Sequence, residues 1–123
     1  MGYTVKKLYG PALLEGAYDS PKNILVNASA YQFIRVKHIY VANTTADEHL
    51  INIGVSAVSE EDVAGKALVY GRSIYGHQEW HYYGDQILVP TVGGVTWYLI
   101  AYSDTANVLT MTVEGEVGMG VLI

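Results

Sequence analysis

Four histidines are the side chains of this 123-residue chain best suited to bind a metal or move a proton. His77 and His81 are four residues apart, a spacing that puts two ligands on one face of a helix. Residues 78–83 are instead typical of a strand, in which His77, Glu79 and His81 share a face. Neighbouring members would then lie about 6.6 Å apart along the strand, too far for all three to bind one metal ion without a bulge. A structural or surface role is the favoured interpretation.

His38 and His49 flank a predicted hairpin and could lie near each other. Two imidazoles without an accompanying acid or an open site are a weak signal for catalysis.

Carboxylates cluster at Glu60, Glu61 and Asp62, and again at Glu114 with Glu116. Glycoside hydrolysis needs two carboxyl groups about 5–9 Å apart across a cleft. These clusters fall instead at a predicted surface turn and at a strand end, where solvated carboxylates are expected.

Other catalytic and metal-binding motifs are missing from the sequence. The chain contains no cysteine, which excludes disulfides, zinc–thiolate sites and cysteine nucleophiles. It has no nucleophile elbow or phosphate-binding loop, and residues 104–107 lack the glycine and closing glutamate of a calcium loop. We therefore expect no catalytic residue, no metal and no cofactor, and we do not expect an enzyme.

The aromatic residues give the strongest signal for recognition. The chain has eleven tyrosines and two tryptophans but one phenylalanine. Tyrosine combines an apolar ring with a hydroxyl that needs a partner, which suits interfaces. A subunit interface is the favoured use. The alternative is carbohydrate stacking by Trp80, Tyr82 and Tyr83, although the polar side chains that a sugar site also needs are not identifiable in the sequence.

Composition indicates a protein that associates with other subunits. Charged residues make up 15% of the chain, against about 25% in a typical domain, and hydrophobic residues make up 50%. Much of the surface must then be neutral or apolar, which favours an oligomer or docking on a larger assembly.

The net charge of −5, with seven Lys and Arg residues, argues against nucleic acid and anionic membranes as partners. No apolar run approaches the roughly 20 residues of a spanning helix, and the N-terminus lacks a signal peptide's apolar segment. We expect a soluble protein made in a cytoplasm.

The elements that position these residues are predicted to be strands. Short β-branched and aromatic runs recur between turn signals, at 4–9, 24–26, 33–41, 50–57, 67–75, 78–83, 86–89, 95–102 and 108–114. About eight strands at this spacing predict an all-β fold, an antiparallel and jelly-roll-like β-sandwich, in one domain over residues 1–123. The pattern at 59–62, a serine followed three residues later by an acid, predicts a single helical turn.

Runs 33–41 and 50–55 are joined by a short polar link beginning Asn43-Thr44-Thr45, which predicts an antiparallel hairpin. The first run changes phase, since Ile34 and Val36 have even numbers whereas Ile39 and Val41 have odd numbers. A β-bulge near Lys37 and His38 would reconcile the two halves, because one extra residue reverses the side-chain phase. The alternative is that His38 faces inward and is hydrogen-bonded.

Two segments are predicted to be covered, either by another subunit or by another part of the same chain. Run 95–102 is apolar on both faces, so we expect another chain or another sheet to cover its outer face. The last residues, 115–123, alternate glycine with apolar side chains and end in an apolar group. This tail is predicted to add a strand to a neighbouring subunit or to pack back on its own core, so both terminal segments are candidates for exchange. The predicted interface residues are Tyr3, Tyr9, Tyr98, Ile100, Tyr102, Met119, Val121, Leu122 and Ile123.

Several segments together resemble the small all-β virion proteins of tailed bacteriophages. They are residues 8–14, the strand that ends Val41-Ala42-Asn43-Thr44-Thr45, residues 98–102, and the closing Thr110-Met111-Thr112-Val113-Glu114-Gly115-Glu116. The resemblance covers most of the chain. It implies a decoration or cement protein on the capsid exterior, self-associated as a homotrimer and bound to the major capsid protein or another virion protein. It also implies assembly into the virion after synthesis in the host cytoplasm. The alternative that it implies is a tail-associated carbohydrate- or receptor-binding module.

Overall fold

The computed structural model describes residues 6–14, 22–27, 32–59, 67–88 and 95–119. Eight strands are found in these ranges: β1 (Lys6–Leu13), β2 (Lys22–Asn27), β3 (Gln32–Asn43), β4 (His49–Ser56), β5 (Ala67–Ile74), β6 (Glu79–Leu88), β7 (Trp97–Ser103) and β8 (Leu109–Met119). None of the described residues belongs to a helix with the length and apolarity of a membrane span.

The strands form two antiparallel four-stranded sheets. The first sheet has the order β1-β8-β3-β6, and the second has the order β2-β7-β4-β5. Strand 1 therefore pairs with 8, 2 with 7, 3 with 6 and 4 with 5. This nested pairing is that of a jelly roll, in which a long antiparallel double strand wraps into two layers. The prediction of an all-β, jelly-roll-like sandwich of eight strands is confirmed.

The inner faces of the two sheets enclose one main core. Because alternate strand residues point to opposite faces, each long strand contributes every second side chain to it. Ile39 and Val41 of β3 meet Ile51 and Ile53 of β4 across the sandwich, all with no exposed surface. Burying a side chain of this size contributes roughly 1.5–3 kcal/mol, so the core stabilises the packing of the two sheets.

The β-bulge expected in β3 is present. Against β8, Val36 lies opposite Gly115 and His38 lies opposite Glu114, so Lys37 is the extra residue. The pairing of β3 with β6 is irregular at the same place. The bulge lets Val36 and Ile39 both face the core although their numbers differ in parity. His38 consequently points to the outer face of the first sheet, and its side chain is 20% exposed.

The predicted hairpin between β3 and β4 is wrong. The two strands belong to different sheets, and the link between them crosses from one layer to the other. Asn43 fixes that crossing from a buried position. Its Nδ2 donates to the backbone oxygens of Asp47 at 2.7 Å and Ile74 at 2.8 Å. Its Oδ1 accepts from the backbone nitrogen and the hydroxyl of Thr45, which closes a local turn at the start of the link.

Two outer-face side chains of β7, in the second sheet, are buried within this chain. Ile100 and Tyr102 of β7 have no exposed surface and pack with the half-buried Tyr98. Their neighbour on β4, Asn52, is equally buried. Both faces of run 95–102 are thus apolar, as expected, but the cover does not require another subunit. Any contact of Ile100 or Tyr102 with a second chain would require this cover to move.

Some predicted features lie outside the described residues. These are Tyr3, Val121, Leu122, Ile123 and the greater part of the helical turn at 59–62. β8 extends past Glu116 to Met119, where Val117 pairs with Ile34 of the same chain. The beginning of the tail therefore adds to its own sheet, one of the two arrangements predicted for it. Exchange of the terminal segments between subunits stays a prediction, as does the single-domain boundary at 1–123.

Candidate functional site

A polar and aromatic cluster occupies the outer face of the first sheet, and we call it the outer-face cluster. Its six members come from three neighbouring strands: His38 and Tyr40 from β3, Glu79, His81 and Tyr83 from β6, and Glu114 from β8. Strand pairing creates it, since His38 lies opposite both Tyr83 and Glu114, and Tyr40 lies opposite His81. Without the bulge, His38 would point into the core.

Glu114, His38 and His81 form a continuous line of hydrogen bonds. His38 Nδ1 lies 2.7 Å from Glu114 Oε1, and His38 Nε2 lies 2.8 Å from His81 Nδ1. The two imidazole planes differ by 1° and their centroids are 5.1 Å apart. That separation is close to the hydrogen bond plus the two ring radii, so the rings are bonded edge to edge in a common plane.

This geometry restricts where protons can be. An ionised Glu114 only accepts hydrogen bonds, so His38 Nδ1 carries a proton. The contact between the rings has room for one proton, carried either by His38 Nε2 or by His81 Nδ1. If both imidazoles were charged, two N–H groups would face each other and this bond would be lost. The hydrogen bonds therefore link the choice of donor and acceptor nitrogen in His38 to that in His81.

Two tyrosines complete the outer-face cluster. The Tyr83 ring stacks on His38, with centroids 4.5 Å apart and planes 4° apart, and its side chain is 73% exposed. Tyr40 meets His81 edge-on at 4.8 Å. The Tyr40 hydroxyl donates to the Glu79 carboxylate, and this hydrogen bond raises the pKa of Tyr40 above its ordinary value. A depression of about 450 Å³ adjoins Tyr40 and Glu79.

A second concave feature lies between the edge strand β5 and the start of β6, and we call it the β5 cleft. It has a volume of about 600 Å³, and its lining includes Tyr70, Gly71, Arg72, Ser73, Tyr75 and Trp80. Tyr70 is 64% exposed and Tyr75 is 65% exposed. Sequence reasoning missed Tyr70, Arg72 and Tyr75, because a cleft between the edges of two sheets leaves no local pattern in the chain.

The predicted stacking platform of Trp80, Tyr82 and Tyr83 is not formed. Trp80 and Tyr82 pack against the core, whereas Tyr83 lies on the opposite face of β6. Strict alternation along a strand is the reason, since residues 82 and 83 cannot share a face. Trp80 alone among the three lines the β5 cleft.

The positions of the histidines differ from those predicted from the sequence. His77 precedes β6 in a turn, with φ of 59°, so it does not continue the face formed by Glu79 and His81. His49 lies 3.1 Å from Asp104, whereas His38 bonds to Glu114 and His81. The prediction that His38 and His49 lie near each other is therefore wrong, because β3 and β4 belong to different sheets. Within the described ranges no group of three or more metal-ligating side chains is assembled.

Exposed apolar residues also mark the side of the sandwich formed by β1 and β2, which we call the β1–β2 edge. Leu13 is 50% exposed and Val26 is 49% exposed. Val26 lies opposite Tyr98, which is half-buried. Tyr9 packs against the core, and its hydroxyl is buried without a partner among the described residues. Tyr9 thus lies on β1 and Tyr98 lies beside β2, and their place in a subunit interface stays a prediction.

No protein-family model and no curated protein matches this sequence. The fold nevertheless matches chains of solved virus structures. One is from the crystal structure of the T13 particle of IBDV, with a TM-score of 0.57, 5% identity and 98% of this chain covered. Another is from the Gx strain of infectious bursal disease virus, with a TM-score of 0.52, 7% identity and 98% covered. This chain spans 31% and 33% of those two chains, about a third of their length.

A pentameric capsid protein isolated from metagenomic phage sequences matches with a TM-score of 0.40 and 19% identity, over 97% of this chain and 66% of that one. The likeness to the two virus-particle chains is one of fold, since the sequences are almost unrelated. The β-sandwich described above is therefore of a kind that occurs in virus particles.

Proposed function

We propose that this chain is a structural protein of a virus particle. The observation that carries the proposal is the jelly-roll fold, which is structurally similar to a chain of the T13 particle of IBDV over 98% of this chain. A jelly roll also serves unrelated functions, so the fold alone does not decide. The resemblance of its segments to small phage virion proteins and its low charge content favour the same function.

Within that function, we propose a decoration or cement protein of a tailed phage that forms a homotrimer and bridges capsid subunits. The β1–β2 edge supplies the contact. Both strands lie at the edge of their sheets, and no described strand pairs with their outward sides, which is the position from which an edge strand can pair with another chain. Leu13 and Val26 add apolar surface there, and because each is already about half buried, burying the rest of each side chain contributes roughly 0.8–1.5 kcal/mol.

Light scattering after size exclusion, at micromolar chain concentrations, tests self-association. We expect a particle of three times the chain mass that dissociates on dilution. A monomer at every concentration would contradict self-association. Closed shells in electron micrographs of the purified protein would contradict the decoration role in favour of a shell-forming one. Cryo-electron microscopy of the parent virion would then locate the chain on the capsid or on the tail.

The alternative of a tail-associated carbohydrate- or receptor-binding module has lost the platform on which it was based. One observation still favours saccharide recognition, the open β5 cleft that Trp80 lines. This activity is compatible with a place in a virion.

A further inference from the structure

We propose that the β5 cleft binds a saccharide that carries a carboxylate group. Its volume of about 600 Å³ is within the range of about 300–1,000 Å³ typical of small-ligand sites. The cleft is distinct from the β1–β2 edge, because β5 and β6 are the edge strands on the other side of the sandwich. A chain docked through β1 and β2 would leave it accessible.

The aromatic residues of the cleft supply the stacking surface. Tyr75 and Tyr70 are about two-thirds exposed, at 65% and 64%, while Trp80 is half-buried and anchored against the core. Large exposed rings lose little conformational entropy on binding, since each has two side-chain torsions. A pyranose presents apolar C–H faces to such rings and hydroxyl groups around its rim.

The β5 cleft also contains polar groups that can form hydrogen bonds with the sugar hydroxyls. Ser73 contributes a hydroxyl to the lining. Because β5 is an edge strand, its outward backbone donors and acceptors are not used by another strand of the sheet. An alternation of apolar ring faces with unused hydrogen-bonding groups matches a saccharide better than it matches a wholly apolar ligand.

Arg72 determines the preference for an acidic sugar. It is exposed and forms no ion pair with any carboxylate of the described residues. The contrast with Arg35 and Lys37 is informative, since both of those cations are paired with Asp85. A guanidinium binds a carboxylate through two parallel hydrogen bonds, which a neutral sugar cannot offer.

Other occupants fit this cleft less well. A strand added to β5 would meet the bulge at Gly71, where φ is 63° and the backbone nitrogen donates to Asn52 Oδ1 at 2.8 Å. The pairing of β5 with β4 shifts register there, so the regular spacing of main-chain groups that an added strand needs is interrupted. A nucleic acid would require a basic patch, whereas this chain has a net charge of −5.

Saturation-transfer NMR on the full chain, with 3′-sialyllactose and lactose as the two probes, tests the proposal. We expect transfer to 3′-sialyllactose and at least about tenfold weaker binding of lactose. Arg72→Gln and Tyr75→Ala should each weaken 3′-sialyllactose binding about tenfold, since each removes one principal contact. Lys6→Gln and Tyr83→Ala are the matched controls, a cation and an exposed tyrosine that lie outside the cleft lining.

Each possible result tests a different part of the proposal. Equal binding of lactose and 3′-sialyllactose would overturn the role of Arg72, and loss of binding in Tyr83→Ala alone would move the site to the outer face of the first sheet. Absence of binding to both probes would overturn the proposal. Arg72 and Tyr75 are exposed, so both variants are expected to keep the far-ultraviolet circular dichroism and melting temperature of the parent chain.

Discussion

Glu114 connects three strands through side chains alone, because its carboxylate fixes His38 of β3, which in turn fixes His81 of β6. A carboxylate in this position determines which ring nitrogen of His38 carries the proton. We predict that His38 Nδ1 is protonated at neutral pH, and that Glu114→Gln removes this restriction because an amide can donate or accept. Long-range proton–nitrogen NMR of the histidine rings measures the tautomer. Glu116→Gln, the same change two residues along β8, is the control, and an equal response to both variants would contradict the prediction.

Tyr40 offers a second prediction at the level of single residues. Its hydroxyl donates to Glu79, so ionising it breaks a hydrogen bond and places two negative charges together, and its pKa is raised. A raised pKa means that the stabilisation from this group is complete at neutral pH and is lost as the pH rises above the ordinary tyrosine range. We expect Glu79→Gln to lower the pKa of Tyr40, followed by carbon NMR of the tyrosine rings. Glu48→Gln, an exposed control, should leave the Tyr40 titration unchanged.

At the level of elements, the crossing from β3 to β4 depends on Asn43. The side chain is 2% exposed and satisfies four polar groups, two of them in Thr45. Asn43→Ala would leave these buried or half-buried groups without partners, and we expect it to lower the free energy of unfolding by about 2–4 kcal/mol. Urea denaturation provides the measurement. The exposed neighbour Thr44 is the control, and Thr44→Ala should change stability by less than about 0.5 kcal/mol.

Gly115 tests the packing of β8 against the bulge in β3. A Cβ at this buried position would overlap the backbone carbonyl oxygen of Arg35, which cannot move without breaking the sheet. We expect Gly115→Ala to cost about 3 kcal/mol of stability by steric overlap. Gly71 differs in kind, since its φ is positive but the space around it is open. Gly71→Ala should cost about 1–2 kcal/mol of stability, from the torsional penalty alone. If denaturant unfolding shows Gly71→Ala to be more destabilising than Gly115→Ala, steric overlap at Gly115 is not the larger effect.

The elements also show what local sequence determines. The change of parity between Val36 and Ile39 was enough to predict the bulge, because side-chain phase is a property of one strand. Strand partners were not predictable in the same way. The link after Asn43 is short enough for a hairpin, and only the nested pairing of all eight strands excludes one. The candidate site shows the same difference between local and long-range information. Alternation within one strand is enough to place Tyr82 and Tyr83 on opposite faces. The outer-face cluster, in contrast, depends on the register of three strands, which the sequence does not reveal.

For the molecule as a whole, the distribution of exposed apolar residues indicates which side associates. The two sides of the sandwich differ, because the β5–β6 side exposes tyrosines and Arg72, which pairs with no carboxylate of the described residues, whereas the β1–β2 edge exposes the aliphatic side chains Leu13 and Val26. Aliphatic groups cannot satisfy a hydroxyl-rich ligand and gain most from contact with another apolar surface. This asymmetry favours one side for self-association and the other for a ligand.

A charge placed at the β1–β2 edge should therefore dissociate the oligomer without unfolding the chain. We predict that Leu13→Lys combined with Val26→Lys shifts the mass measured by light scattering to that of the monomer at the same concentration. Both residues are about half exposed, so each lysine can reach water from its strand and the fold should persist by circular dichroism. Tyr83→Lys adds a charge at a still more exposed site on β6 and should leave the mass unchanged. If the double variant remains associated while Tyr83→Lys dissociates, subunits meet through the outer face of the first sheet and the proposed docking edge is wrong.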